Sequence, residues 1–139
     1  MNEHIDFAQA YHNGINLCRN RVAEEAEIDA VLSRFCEEVH TASKGNLVLE
    51  VGRRPYGNPS DLKVIAIKRS KSKARGRKTL VDIEPTQGGY PCVIRHGSWF
   101  KSVIDKDGLE ASLAEVLQSH SAAHKIHYLL TRRYEDTNA

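Results

Sequence analysis

The stretch that decides the fold spans residues 61–84 and reads DLKVIAIKRSKSKARGRKTLVDIE. Two runs rich in Val, Ile and Leu flank a basic segment, which is the pattern of a β-hairpin with a long connecting loop. Seven of the eleven residues from Lys68 to Lys78 are Lys or Arg, and none is acidic. Because the whole chain has a formal net charge of +2, the remaining residues sum to −5. The sequence therefore predicts a mildly acidic body with one concentrated cationic loop.

The bulk composition is typical of one globular domain. The chain has 139 residues, of which 40% are hydrophobic and 27% are charged. A chain of this length buries enough surface to fold without a disulfide or a metal. The three cysteines are far apart and form no paired motif, so we expect reduced thiols. The apolar runs are too short to span a membrane, and no secretory signal is recognisable, so we expect a cytoplasmic protein with no membrane association.

Residues 3–41 carry the periodicity of a helix, in two apolar stripes. The first stripe is Phe7, Tyr11, Ile15, Cys18 and Val22, and the second is Ile28, Val31, Leu32, Phe35 and Val39. The stripes are slightly out of phase across residues 24–27, which predicts a bend or a short break there. The acidic residues of this region lie on the opposite face. We interpret them as a solvated surface, and the alternative is that they pair with the basic loop, within the chain or in a homodimer.

Strands are predicted at residues 47–51, 62–68, 79–84, 91–95 and 99–104, from alternating or continuous apolar runs. His96-Gly97 resembles a two-residue hairpin turn between the last two strands. Helical periodicity returns over residues 107–133, with Asp107 as the N-cap, Glu110 completing a capping box and an interruption near residues 119–122. Residues 134–139 are predicted to form a frayed tail.

Successive strands with short connections pair as an antiparallel meander. Helices at both ends of the chain would then cover one face of the sheet. The prediction is a single two-layer α+β domain, in which an antiparallel sheet of four to five strands spans residues 47–104 and the basic hairpin loop spans residues 68–78.

The main candidate site is this basic loop. Alternate turns of a meander lie at the same end of the sheet, so the loop and the His96-Gly97 turn are expected to share one end. Phosphates bound there would release counterions, which makes binding steeply dependent on salt. The residues predicted to contact nucleic acid, either DNA or RNA, are Lys68, Arg69, Lys71, Lys73, Arg75, Arg77, Lys78, Arg95 and Lys101. No aromatic residue lies in the loop, so stacking on bases is not expected.

Two other interpretations of the charge and the aromatics stay open. The loop is also typical of a solvated hairpin tip whose charges disfavour pairing of the sheet edge with another chain. Alternatively, the protein is an interaction module, an inhibitor or adaptor that docks onto an acidic protein surface. Trp99 and Phe100 are neighbours in one strand, so one of them points away from the core. The predicted interaction residues are Trp99 and Tyr90, because Trp and Tyr are enriched at interaction hot spots.

An enzymatic function has little support in the sequence. His120, His124 and His127 lie on one helical face and have a spacing that suits zinc, but no carboxylate lies among them to act as a base. The competing interpretation is that they are neutral imidazoles at the edge of the core. Nucleophile, P-loop and dinucleotide motifs are absent from the sequence. We therefore expect a non-enzymatic protein with no catalytic residue, cofactor or metal.

Overall fold

The structure is a computed structural model that describes residues 4–53, 61–68 and 76–131. Its elements are α1 (Phe7–Ala42), β1 (Leu47–Arg53), β2 (Leu62–Lys68), β3 (Arg77–Thr86), β4 (Gly89–His96), β5 (Trp99–Val103), α2 (Lys106–Gln118) and α3 (His120–Thr131). The strands pair in the order β1-β2-β3-β4-β5, and every pairing is antiparallel. The three helices pack on this sheet, and the predicted α+β meander is confirmed. The predicted tail at residues 134–139 lies outside the described residues.

The core follows from the alternation of side chains along the strands. Leu49 pairs with Ala66 and Val64 pairs with Val81, and all four side chains are buried. Residues directly opposite each other in a ladder point to the same face, so these pairs form one apolar surface. That surface and the buried residues of all three helices form one continuous hydrophobic cluster. The strands therefore hold the helices on a single face.

The tight turn that joins β4 to β5 falls one residue from the predicted position. The last hairpin turns at Gly97-Ser98, because His96 pairs with Trp99. Gly97 has a φ of 62°, a left-handed conformation that glycine adopts without steric cost. The hairpin predicted at His96-Gly97 therefore forms, with its turn shifted towards the C-terminus.

Helix α1 is continuous, so the break expected near residues 24–27 is absent. Asp6 caps it by accepting a hydrogen bond from the Gln9 backbone N–H at 3.0 Å. Its 36 residues extend about 54 Å, whereas the ten residues of the longest strand extend about 33 Å. Only the C-terminal half packs on the sheet, and residues 7–20, called the arm below, are exposed throughout.

The start of α2 also differs from the prediction. Asp105, and not Asp107, is the N-cap, and its carboxylate accepts a hydrogen bond from the Gly108 backbone N–H at 2.8 Å. Glu110 forms an ion pair with Arg34 of α1. The interruption predicted near residues 119–122 is confirmed at Ser119, which separates α2 from α3.

Candidate nucleic-acid interface

The meander places three chain connections at one end of the sheet. These are the α1–β1 turn, the β2–β3 connection and the β4–β5 turn. Helix α3 lies against β2 and β3 beside them. We call this the basic end, comprising residues 43–46, 66–68, 76–79 and 96–99 together with α3.

The segments that meet at the basic end contain no carboxylate. No Asp or Glu occurs in residues 39–49, 62–81, 85–104 or 116–134. The opposite end of the sheet carries carboxylates as well as cations, such as Arg53 at the end of β1. Glu24 and Glu25 lie there against Gly89 and Gly88 of the β3–β4 turn. The two ends of the sheet therefore differ in carboxylate content, and this difference is not confined to the basic loop.

Five described cations belong to the basic end: Lys44, Lys68, Arg77, Lys78 and Lys125. Lys44 and Arg77 are exposed. Lys44 and Lys68 line a shallow groove of about 540 Å³ that also includes Leu130 of α3. The groove brings the α1–β1 turn, the end of β2 and the end of α3 together at one surface.

Two of these lysines are held by contacts between α3 and β3. The Lys125 ammonium donates a hydrogen bond to the Thr79 carbonyl at 3.0 Å. The Lys78 ammonium lies 4.9 Å from the centre of the Tyr128 ring, within the range of a cation–π contact. The Lys68 N–H donates to the Gly76 carbonyl at 3.1 Å, which brings the ends of β2 and β3 together at the base of the loop. Contacts among α3, β2 and β3 therefore fix the positions of Lys78 and Lys125 and of the Lys68 backbone.

The predicted nucleic-acid contacts fall into three groups. Lys68, Arg77 and Lys78 lie at the basic end as predicted, whereas Arg69, Lys71, Lys73 and Arg75 lie outside the described residues. Arg95 is 2.8 Å from Glu84 and Lys101 is 3.8 Å from Glu115. These two cations have carboxylate partners of their own, so they extend the cationic surface less than the sequence suggested.

Sequence reasoning missed Lys44 and Lys125. Each is an isolated cation in the sequence, so neither forms part of a charge run. The sequence feature that indicates them is the absence of Asp and Glu among the residues that flank each lysine. Recognising it requires knowing that α3 returns to the same end of the sheet as the α1–β1 turn.

The burial of Tyr90 argues against the predicted aromatic interaction site. Tyr90 is only 7% exposed, and its hydroxyl donates to the Glu27 carboxylate at 2.9 Å, so it belongs to the core. Burial, together with this hydrogen bond and the nearby negative charges, raises the pKa of Tyr90 well above its ordinary value. Trp99 is half-buried against the core, whereas Phe100 is 64% exposed on the open face of the sheet. The Arg95 guanidinium lies 5.3 Å from the centre of the Phe100 ring.

The histidines of α3 are on the surface. His120, His124 and His127 are all exposed, whereas the competing interpretation placed them at the edge of the core. The rings of His120 and His124 stack with their centres 6.1 Å apart. Across the residues that the structure describes, no group of three or more His, Cys, Asp or Glu side chains is arranged to hold a metal ion.

A buried histidine, His96, lies beside a serine in a groove of about 850 Å³. The ring of His96 is 2.6 Å from the Leu80 carbonyl and 3.3 Å from the Ser119 hydroxyl. The Ser119 hydroxyl donates to the Val116 carbonyl at 2.6 Å and accepts from the Ala122 N–H at 3.2 Å. Because its proton is engaged with Val116, the hydroxyl is not set up as a nucleophile. This contact joins the α2–α3 junction to the sheet.

Comparison with known proteins identifies no relative: no family model, curated protein or solved structure matches this chain. Among the helices in residues 4–53 and 76–131, none combines the length and the apolar character needed to cross a membrane.

Proposed function

We propose that the protein binds nucleic acid through its basic end, by contacts to the phosphate backbone and without catalysing a reaction. The observation that carries the proposal is the meeting of four carboxylate-free segments at one end of the sheet. Five described cations lie there, and the sequence adds four more between residues 69 and 75. Clustered Lys and Arg on one face are the usual electrostatic footprint of nucleic-acid binding.

The proposed contacts give affinity without reading sequence. Lysine is a point charge that binds phosphate oxygens, whereas base readout requires side chains that reach the base edges in a groove. The Tyr128 ring, which Lys78 contacts at the basic end, is half-buried and is poorly placed for stacking. We therefore expect similar affinities for duplexes of different sequence.

The test is a salt titration of binding to a fluorescent 20-base-pair duplex, measured by anisotropy for DNA and for RNA. If the five described cations and the four at positions 69, 71, 73 and 75 each neutralise one phosphate of B-form DNA, log K falls against log salt with a slope of about −8. The double substitution Lys44→Ser/Arg77→Ser removes two exposed cations of the basic end. It is expected to make the slope shallower by about 1.8.

The matched control is Arg19→Ser/Lys106→Ser, which removes the same charge from exposed positions away from the basic end. It is expected to keep the wild-type slope. A third variant, with Ser at positions 69, 71, 73 and 75, measures the contribution of the loop. No binding at 50 mM salt, or equal slopes for the two double variants, would contradict the proposal.

A second candidate function is docking onto an acidic protein surface. The observation that favours it is the exposed Phe100 beside Arg95 on the open face of the sheet, because aromatic and Arg side chains are enriched at interaction hot spots. This proposal predicts capture of a protein partner that survives nuclease treatment and is lost in Phe100→Ser. Capture that disappears after nuclease treatment would favour nucleic-acid binding instead.

A further inference from the structure

The arm of α1 carries an apolar stripe that its own domain leaves uncovered. Phe7 is 78% exposed, Tyr11 64%, Ile15 36% and Val22, just beyond the arm, 63%, and Cys18 on the same stripe is also exposed. Single exposed apolar residues are ordinary on a protein surface, but a contiguous row of them marks an interaction site.

The angular position of the stripe around the helix axis differs from that of the face that packs on the core. At 100° per residue, these five side chains fall within an arc of about 80°, and the centre of that arc is turned by roughly 100° from the line of Ile28, Leu32 and Phe35. The stripe therefore does not continue the helix face that packs on the sheet. A fourteen-residue helical segment without tertiary contacts is also marginal in water, and Gly14 weakens it by about 1 kcal/mol relative to Ala.

We infer that two copies of the chain dimerise by antiparallel pairing of their arms along this stripe. The spacing is symmetric about the midpoint between Gly14 and Ile15, so an antiparallel partner would place Phe7 opposite Val22, Tyr11 opposite Cys18, and Ile15 opposite Gly14. Each pair sets a larger side chain against a smaller one, which lets two helix surfaces interdigitate.

No contact or backbone conformation within the described chain requires a glycine at position 14. An added Cβ there would meet nothing within 4 Å, and Gly14 is not among the glycines with a positive φ. The conformation of the helix therefore does not require a glycine. A close crossing of two helices would require one, because the absence of a side chain lets Ile15 of a second copy approach the backbone.

Charge selects the antiparallel orientation. In a parallel pair, Glu25 and Asp29, which continue the stripe towards the packed half, would each face the same residue of the other copy. In the antiparallel pair, Glu25 lies opposite His4, and the two domains lie at opposite ends of the seam. Since a Phe or Tyr side chain buries about 150–250 Å², the seam would bury on the order of 1,000 Å² in total, near the lower bound of specific interfaces.

The test begins with sedimentation velocity from 5 to 200 µM. We expect a species of twice the 15.6 kDa chain mass at the upper concentrations. Ile15→Asp is expected to weaken dimerisation at least 100-fold. Leu17→Asp is the matched control, because Leu17 is 53% exposed but lies about 120° around the helix from the stripe. Far-UV circular dichroism checks that both variants fold.

Disulfide cross-linking tests the orientation. Tyr11→Cys is expected to cross-link to Cys18 of the second copy under mild oxidation, and Tyr11→Cys/Cys18→Ser is expected not to. Three outcomes would overturn the inference: a monomer at 200 µM, equal effects of Ile15→Asp and Leu17→Asp, or cross-linking of the wild type through Cys18 alone, which indicates parallel pairing.

Discussion

The two halves of α1 belong to one uninterrupted helix but have different surroundings. In the packed half, Ile28, Leu32 and Phe35 are at most 9% exposed, whereas Phe7 in the arm is 78% exposed. Both halves have a regular apolar stripe. They differ in the angular position of the stripe relative to the sheet and in the reach of the sheet along the helix. Helical amphipathicity therefore identifies an apolar face that would be stabilised by burial. Whether that face is buried within the same chain depends on the rest of the fold.

The two halves meet at a network of contacts around Tyr90. Glu24 accepts hydrogen bonds from the Tyr90 N–H and from Arg21, both at 3.1 Å. Arg21 also donates to the Tyr90 carbonyl, and Glu27 accepts from the Tyr90 hydroxyl. This network fixes the point at which the helix leaves the domain, and the following experiments compare the two sides of it.

The largest expected difference is in thiol reactivity. Cys18 in the arm is exposed, whereas Cys92 is buried beneath the packed half, where burial and the charge of Glu24 raise its pKa to about 12. At pH 8, about one Cys92 thiol in ten thousand is then ionised, and the thiolate is the reactive form. Burial raises the pKa of Cys36 as well. We expect iodoacetamide to label Cys18 first, Cys36 second and Cys92 orders of magnitude later.

Mass spectrometry of each labelled peptide measures these rates. The experiment is best performed on Ile15→Asp, because the proposed dimer would cover Cys18. If Cys92 were labelled in the native protein as quickly as Cys18, the packed half would not seal the core as described.

The next largest effect concerns stability. Leu32 is 1% exposed, and truncating a fully buried leucine to alanine costs about 2–5 kcal/mol. Val22 is 63% exposed, so Val22→Ala is expected to change the free energy of unfolding by less than about 0.5 kcal/mol. Urea denaturation at 2 µM, where dimerisation contributes least, measures both values. Similar losses for the two variants would mean that Val22, just beyond the arm, packs on the domain in solution.

Much of this fold could be predicted from the sequence. The apolar run from Leu62 to Lys68 predicts β2 with the bounds that the structure has, because a loop precedes the run and a series of cations follows it. The cap of α2 could not be resolved in the same way. Asp105 and Asp107 both precede a helical pattern, and the choice between them depends on β5 ending at Val103.

The candidate site was less predictable, since it is assembled from distant segments. The meander rule correctly placed the β2–β3 connection beside the β4–β5 turn. Lys125 reaches the same end only because α3 folds back across β3. The burial of Tyr90 depends on where β4 lies beneath α1, which local periodicity does not specify.

A smaller effect is expected from the Tyr90 hydroxyl. Tyr90→Phe removes the hydrogen bond to Glu27 and is expected to lower stability by about 1 kcal/mol at pH 7. The raised pKa of Tyr90 means that the folded state holds this proton more tightly than the unfolded state, whose tyrosines titrate near pH 10. Its contribution is therefore complete below about pH 10 and decreases as the pH rises further.

Urea midpoints between pH 8 and pH 11 test this sign. The wild type is expected to lose stability above pH 10 more steeply than Tyr90→Phe, so the difference between them should narrow. A difference that widens with pH would show that the hydroxyl is not held as a hydrogen-bond donor.

The sharpest test of the difference between the two halves is Gly14→Ala, which adds a single methyl group. On an isolated exposed helix this change is expected to add about 1 kcal/mol of helix stability, because alanine has less backbone entropy to lose. If the arms cross at Gly14, the new methyl group also meets Ile15 of the second copy. We therefore expect the helical signal at 222 nm to rise for the dilute monomer while the dimer dissociation constant increases. A tighter dimer together with higher helicity would place the crossing elsewhere on the arm, since helix propensity alone would then account for both changes.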